Sequence, residues 1–340
     1  MATTTPATVS VALCTRNGER YIVEQLESIL LQTPSPIQIV ISDDGSTDAT
    51  LERVRAVIAE HSATGAILPR FDILENPRPL GVTANFAQAV ERCDGDVIVL
   101  CDQDDVWHPH RLAAGLEALE HADVTLVFSD AELVDGSGAP LGRRLLDSLE
   151  IPADDRQQLV SGRAAPLLLR RNLVTGATVL FRRSLLRHAL PFPSSWVHDE
   201  WLAIIAACIS RIRLVPEPLV DYRQHGANEI GVAAPTLSRK IRRVLQPRGS
   251  RNAELSEKFE LLWERLIELG DLVPPDILAR AATKARVERE REALPARRLA
   301  RLPWIARAAS RGWYRDYCSQ GAKDILRDLL QPHDDHTLSR

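Results

Sequence analysis

Lysine is almost missing from this chain: only four of its 42 basic residues are Lys, and the rest are Arg. That skew points to a GC-rich genome rather than to a function. The five cysteines, Cys14, Cys93, Cys101, Cys208 and Cys318, show no paired spacing. A disulfide framework is thereby excluded and a reducing compartment favoured. The longest apolar run, residues 202–209, is far short of the ~20 residues that cross a bilayer. Met-Ala-Thr-Thr-Thr-Pro at the start has neither the basic nor the apolar segment of a secretory leader. A cytoplasmic protein is therefore expected, at most peripheral at the inner face of the cell membrane. The net charge of −4 gives no general pull toward nucleic acid. Internal repeats and low-complexity tracts are missing too. So is the Gly-x-Gly-x-x-Gly turn that a dinucleotide-binding oxidoreductase would carry after its first strand.

What is present is an ordinary globular composition, 45% apolar and 26% charged over 340 residues, enough for one large domain with an appendage. The charge is unevenly placed. Residues 1–235 hold 20 Lys/Arg against 31 Asp/Glu, whereas residues 236–340 hold 22 against 15. After Thr236 the chain reads as Arg-rich helices punctuated by Pro247, Pro274, Pro275, Pro295 and Pro303. Two regions are expected, 1–235 and 236–340. In the first, apolar runs at 9–13, 37–41, 71–74, 96–100 and 124–129 alternate with helical stretches at 21–31, 49–60, 83–92 and 111–120. That alternation predicts βαβ units and a doubly wound α/β sheet. Asp48 is the expected cap of the second helix. Residues 135–165 carry little pattern and read as a mobile excursion over the sheet edge. A strand is expected at 176–181, a helix at 196–209, and a closing pair of strands at 213–216 and 219–222.

The fourth strand runs straight into Asp102, Asp104 and Asp105. Carboxylates this close repel one another unless a cation or hydrogen-bond donors offset them. A divalent ion carrying a diphosphate is the natural occupant, since Mg²⁺ and Mn²⁺ take carboxylate and phosphate oxygens. An acidic turn left in solvent is the plain alternative. Asp43 and Asp44 end the second strand, where one carboxylate can accept from the N–H of a uracil- or thymine-type ring while its neighbour caps a turn with Gly45.

Taken in order, six segments resemble the family 2 inverting glycosyltransferases, whose fold is called GT-A. They are residues 9–17, residues 41–48, Asn76 to Phe86, residues 101–107 (Cys-Asp-Gln-Asp-Asp-Val-Trp), His198-Asp199-Glu200-Trp201 and Tyr222-Arg223-Gln224-His225. The likeness covers roughly residues 8–230, and the later segments look most like bacterial rhamnosyltransferase-like enzymes of polysaccharide assembly. It implies a GT-A catalytic domain over 1–235 with a helical C-terminal region. The activity it implies is the transfer of rhamnose or another hexose from a dTDP- or UDP-sugar to a glycan or glycolipid hydroxyl, with Mn²⁺ or Mg²⁺. The resemblance assigns the base contact to Asp44, ribose or water contacts to Asp102, and the metal to Asp104. Thr15, Arg16, Asn17, Glu19, Asn85 and Gln103 fall on the nucleotide-sugar side, though the family often has Tyr where Arg16 stands. Asp199 matches the general base, with Glu200 as the fallback; the family usually has Glu or Gly where this chain has His198. His225 is a candidate third metal ligand and Arg223 a candidate diphosphate contact.

In the C-terminal region, Leu299, Leu302, Ile305, Ala309, Trp313 and Tyr317 recur at helical steps between Arg298, Arg301, Arg307, Arg311 and Arg315. Three readings stay open for it: a basic surface on anionic lipid, a helical cap, or a homodimer contact. A lipid surface would place Trp304, Trp313 and Tyr314 near headgroup level. Two other functions compete with the transferase. One is a non-catalytic nucleotide-sugar-binding scaffold of the same fold. The other is a nucleotidyltransferase, which would want a fuller Gly-rich phosphate loop than residues 14–18 supply.

Overall fold

The computed structural model describes residues 7–225 and 251–332. They form two compact units, one of residues 7–164 with 173–225, the other of residues 165–172 with 251–332.

In the first unit, β1 (Val9–Thr15), β2 (Gln38–Asp43) and β4 (Val97–Cys101) are buried along their whole length. That is the behaviour of parallel strands covered on both faces. β1 pairs in parallel with β2 on one side and β4 on the other, and β3 (Arg70–Glu75) adds to β2. The helices between them, α1 (Ile22–Leu30), α2 (Thr50–Ala63) and α3 (Val82–Arg92), complete the expected doubly wound half. In α1 the buried Ile22, Leu26 and Ile29 share one face at helical spacing. Asp48 accepts the Thr50 amide at 3.0 Å, so it does serve the start of α2.

The second half departs from the simple alternation. The full order is β3-β2-β1-β4, then β8 (Val179–Arg182), β6 (Val124–Asp135), β9 (Arg211–Gln224) and β5 (Val106–Trp107), with β7 (Pro140–Arg144) on β6. β8 (Val179–Arg182) lies antiparallel to both β4 and β6, so the fifth predicted strand, β6 (Val124–Asp135), is not beside the fourth. The predicted strand at 176–181 begins as a 3-10 turn over Gly176–Thr178. The closing strand pair is one strand, β9 (Arg211–Gln224), parallel to β6 and antiparallel to β5 (Val106–Trp107). Nor is the 135–165 segment patternless: it forms β7 (Pro140–Arg144), α5 (Leu145–Ser148) and α6 (Ala153–Val160). After α4 (Arg111–Ala118) and a later short helix α8 (Leu186–Ala189), the chain enters α9 (His198–Ile209). Every residue from Trp201 to Cys208 in that helix is buried.

The second unit holds α7 (Ala165–Arg170), α10 (Arg251–Glu268), α11 (Pro275–Glu292), α12 (Leu302–Ser310), α13 (Trp313–Tyr317) and α14 (Lys323–Leu330). Part of its core is apolar: Val287, Ile305, Ala308, Trp313, Tyr314 and Cys318. Trp313 and Tyr314 therefore do not stand at a lipid-facing surface, and Arg301, expected on the basic face, is fully buried. Its guanidinium donates to the carbonyls of Pro295, Ala296, Asp328 and Gln331. Around it runs a buried ionic chain. Lys284 meets Glu288 at 2.6 Å, Glu288 meets Arg291 at 3.0 Å, and Arg291 grips Asp328 with two bonds of 2.9 and 3.0 Å. Burial alone would raise the Glu288 carboxyl, but the Lys284 and Arg291 charges push it down to about 2. Asp328→Ala would leave Arg291 short of its bidentate partner and Tyr314 Oη short of its acceptor. Breaking a buried pair from one side costs about 3–5 kcal/mol, so urea unfolding should show a loss of that size. A loss under about 1 kcal/mol would place the chain in water rather than in the interior.

Candidate active site

The site begins where β1, β2 and β4 end, because the register sets Thr15 opposite Asp43 and Leu13 opposite Cys101. Ligands of open α/β sheets gather beyond such carboxyl ends. Asp43 is buried and accepts the Thr15 hydroxyl at 2.7 Å, the Ser46 amide at 2.8 Å and the Ser46 hydroxyl at 2.5 Å. Asp44 is buried too and clamps the loop before α3, accepting the amides of Leu80 at 2.6 Å and Gly81 at 3.0 Å. Gly81 has φ +86°, a conformation that favours glycine. Asn85 is turned inward: its carbonyl oxygen accepts from Ser42 and Asn76, and its amide donates to the Ser42 carbonyl. Asn17 accepts the Thr47 amide at 2.8 Å, and Glu19 the Ala49 amide at 3.0 Å. The Gln103 side chain pairs with both backbone groups of Arg16, at 2.7 and 3.0 Å, leaving the Arg16 side chain exposed.

The structure sorts the three carboxylates after β4. Asp102 and Asp104 are half-buried, whereas Asp105 points inward. One Asp105 oxygen accepts the Arg223 amide at 3.0 Å and the other has no hydrogen-bond partner among the described residues. Burial, then the Asp104 and Asp102 charges, push its carboxyl well above the usual range. Asp104 Oδ2 lies 2.6 Å from His225 Nε2, although 121 positions separate the two. The His225 ring stacks on Tyr21 at 5.0 Å. Arg223 stands behind this pair, its Nε donating to the Asp104 carbonyl and its Nη2 to Glu24, both at 2.7 Å.

An oxygen and a nitrogen ligand side by side suit Mn²⁺, which accepts both donor types. Among the described residues no three His, Cys, Asp or Glu side chains converge as a ready-made cage. The donor set thus fits an ion that completes its shell with phosphate oxygens and water, the habit of hard cations at diphosphate sites.

Asp199 opens α9. Its Oδ2 accepts the Gly176 amide at 2.8 Å and its Oδ1 the Glu200 amide at 2.7 Å, which fixes the carboxylate's direction. Tyr222 of β9 feels both this carboxylate and the acidic loop through their charge. Burial first, then the charges of Asp102, Asp105, Asp104 and Asp199, raise its hydroxyl far above its ordinary range. The structure thus brings Asp104 and His225 together at the lip of the sheet, and Tyr222 of β9 feels the charges of Asp102, Asp104 and Asp199 together. The fold sets Asp44, Asn17 and Glu19 along the neighbouring strand end, and commits Asn85 and Arg223 to internal partners.

Sequence reasoning missed Tyr21, Glu24 and Gly176. Nothing local marks them: Tyr21 and Glu24 look like ordinary helix-start residues, and Gly176 like the start of a strand. It also passed over Arg111, which is fully buried with its guanidinium 4.0 Å above the Trp107 ring.

Residues 10–188 match the sequence profile described as Glycosyl transferase family 2. An uncharacterized glycosyltransferase of Nostoc sp. is 29% identical over 68% of this chain and 69% of its own length. The dTDP-rhamnosyl transferase RfbG of Shigella flexneri is 26% identical over 64% and 73%. Among solved structures, S. aureus TarS 1-349 in complex with UDP-GlcNAc is 16% identical, covers 95% of this chain and 90% of its own, and superposes with a TM-score of 0.53. The mannosyltransferase PcManGT of Pyrobaculum calidifontis, in complex with GDP-Man and Mn²⁺, is 21% identical over 96% and 86%, with a TM-score of 0.51. These two show the fold: a mostly parallel, GT-A-type sheet. No helix among the described residues is long and apolar enough to cross a membrane.

Proposed function

Since the chain belongs to glycosyl transferase family 2, we propose that it is an inverting, metal-dependent enzyme of cell-surface polysaccharide assembly. It moves rhamnose or another hexose from a dTDP- or UDP-linked donor to a hydroxyl of a glycan or glycolipid. The observation that carries this reading is the Asp104–His225 contact of 2.6 Å at the lip of the sheet. The Shigella rhamnosyl transferase supports a dTDP-linked donor, TarS a UDP-linked one, and the mannosyltransferase a role for Mn²⁺. We assign catalysis to residues 1–235.

In this reading Asp104 and His225 hold the divalent ion, with Asp102 toward the ribose or an ion-bound water. When bound, the ion offsets negative charge developing on the departing diphosphate. Asp44 accepts from the base through lone pairs that its two loop amides leave unused. Thr15, Arg16, Asn17, Glu19 and Gln103 shape the nucleotide side. Arg223 steadies the Asp104 backbone from behind. Asp199 takes the acceptor hydroxyl's proton as that oxygen bonds to the anomeric carbon on the face opposite the diphosphate. The bond from that carbon to the phosphate oxygen breaks, and its electron pair leaves with the nucleoside diphosphate. The sugar's anomeric configuration inverts.

The purified full chain with Mn²⁺ should release nucleoside diphosphate from one member of a panel of dTDP-, UDP- and GDP-sugars. EDTA should abolish that release and added Mn²⁺ restore it. A panel showing neither release nor metal-dependent donor binding would count decisively against the assignment.

A further inference from the structure

His198 is the first residue of α9 and the neighbour of Asp199. Its ring lies flat on Phe86 of α3, with centroids 3.9 Å apart and planes 15° from parallel. The residue is 5% exposed, and neither Nδ1 nor Nε2 has a hydrogen-bond partner among the described residues. Stacking does not account for this choice. Phenylalanine would stack as well without burying two polar atoms whose hydration is lost and not replaced. A buried polar group left unpaired in a native fold asks for a role.

The geometry around Gly176 supplies one. A β-carbon there would lie 3.4 Å from His198 Nε2 and 3.3 Å from Asp199 Oδ2. Glycine there lets the backbone pack closely against both the Nε2 edge and the carboxylate, which lie side by side at the start of the helix. The Thr83 hydroxyl donates to the Trp196 carbonyl at 3.3 Å, tying the start of α3 to the segment that delivers His198. Burial holds the imidazole's pKa down to about 3, so at working pH the ring is neutral. It then offers one N–H and one lone pair, the same complement that a hydroxyl presents in return.

We propose that His198 is a positioning residue for the acceptor. It hydrogen-bonds a hydroxyl of the acceptor sugar next to the one whose proton Asp199 takes. The inference rests on the transferase reading above and adds to it how the acceptor is oriented and selected. A buried group reserved for a substrate hydroxyl penalises analogues that lack it, because the group is then left unpaired.

The test compares wild type, His198→Phe and His198→Gln as full chains. Each is assayed with Mn²⁺, the donor that wild type turns over, and octyl glycosides with their monodeoxy derivatives as acceptors. His198→Phe should keep its melting temperature and its Mn²⁺-dependent donor binding. Its acceptor kcat/KM should fall by about 10–100-fold, mostly through KM, with partial recovery in His198→Gln. The penalty that wild type imposes on one deoxy acceptor should disappear in His198→Phe. If His198→Phe stays within about twofold of wild type, or loses donor binding and donor hydrolysis to the same degree as transfer, the ring is packing and the proposal is wrong. A wild type that turns over no donor sinks the transferase reading and this inference together. A wild type that transfers beside an unaffected His198→Phe sinks this inference alone.

Discussion

Asp199→Asn should reduce sugar transfer by about 10²–10⁴-fold, the usual worth of a positioned general base, while the donor still binds. The substitution keeps the size and planarity of the side chain. Both carboxylate oxygens accept backbone amides, from Gly176 and Glu200, and Asn can keep only one of those bonds well. A stability loss of about 1 kcal/mol is therefore expected beside the kinetic one, too small to explain the drop in rate. The loss should sit in kcat, because proton removal belongs to the transition state and not to binding. Initial rates with saturating donor, set beside donor affinity and melting temperature, separate the two effects. Activity within tenfold of wild type would remove Asp199 from the role and turn attention to Glu200, one position along the same helix. A scaffold that binds nucleotide sugars without reacting predicts no change in any activity, so one variant also decides between the two functions.

The part of the fold legible in the sequence is the part whose signal is local. β1, β2 and β4 are apolar runs bounded by turn residues, and they stand where those runs predict. The neighbours of β6 were not legible, because strand pairing depends on partners far away in the chain. β9 read as two strands because Pro216 and Pro218 interrupt it. In the structure the β6–β9 register shifts between Ser129 and Asp130, leaving Pro216 and Glu217 without partners across the ladder. Proline is tolerated at such bulges. The same distinction holds at the site. The acidic loop announces itself through three carboxylates in four residues. That Asp105 faces the interior, and that Asp104 meets His225, depends on how β9 returns beside β5. The C-terminal region shows the limit of charge patterning. Arg291, Arg301 and Lys284 look like surface residues in the sequence, yet each is at most 2% exposed, because Glu288 on the helix of Lys284 and Arg291, nearby carbonyls and groups near the C-terminal helices together satisfy them.

Asp104→Asn should abolish the mutual dependence of metal and donor. With only the two proposed protein ligands and no third side chain converging among the described residues, neither Mn²⁺ alone nor the donor alone would have a full set of contacts. Each ligand should therefore strengthen the other, and by linkage the coupling must be the same in both directions. For wild type, Mn²⁺ and donor together at about 100 times their joint dissociation constant should add about 2.7 kcal/mol of stability. In units of this size that raises the melting temperature by about 5–10 °C, whereas either ligand alone should give much less. Asn in place of Asp104 keeps a hydrogen-bonding group toward His225 but removes the charge that makes the position a cation ligand. The joint shift should then collapse to the sum of the single ones, and EDTA-sensitive turnover should go with it. His225→Ala is the milder companion. It removes a nitrogen ligand, which Mn²⁺ accepts more readily than Mg²⁺ does, so preference for Mn²⁺ should weaken while some Mg²⁺-supported activity survives. Undiminished, EDTA-insensitive turnover in Asp104→Asn would mean that the acidic loop serves the nucleotide or the fold, and that charge on the leaving diphosphate is met by other groups.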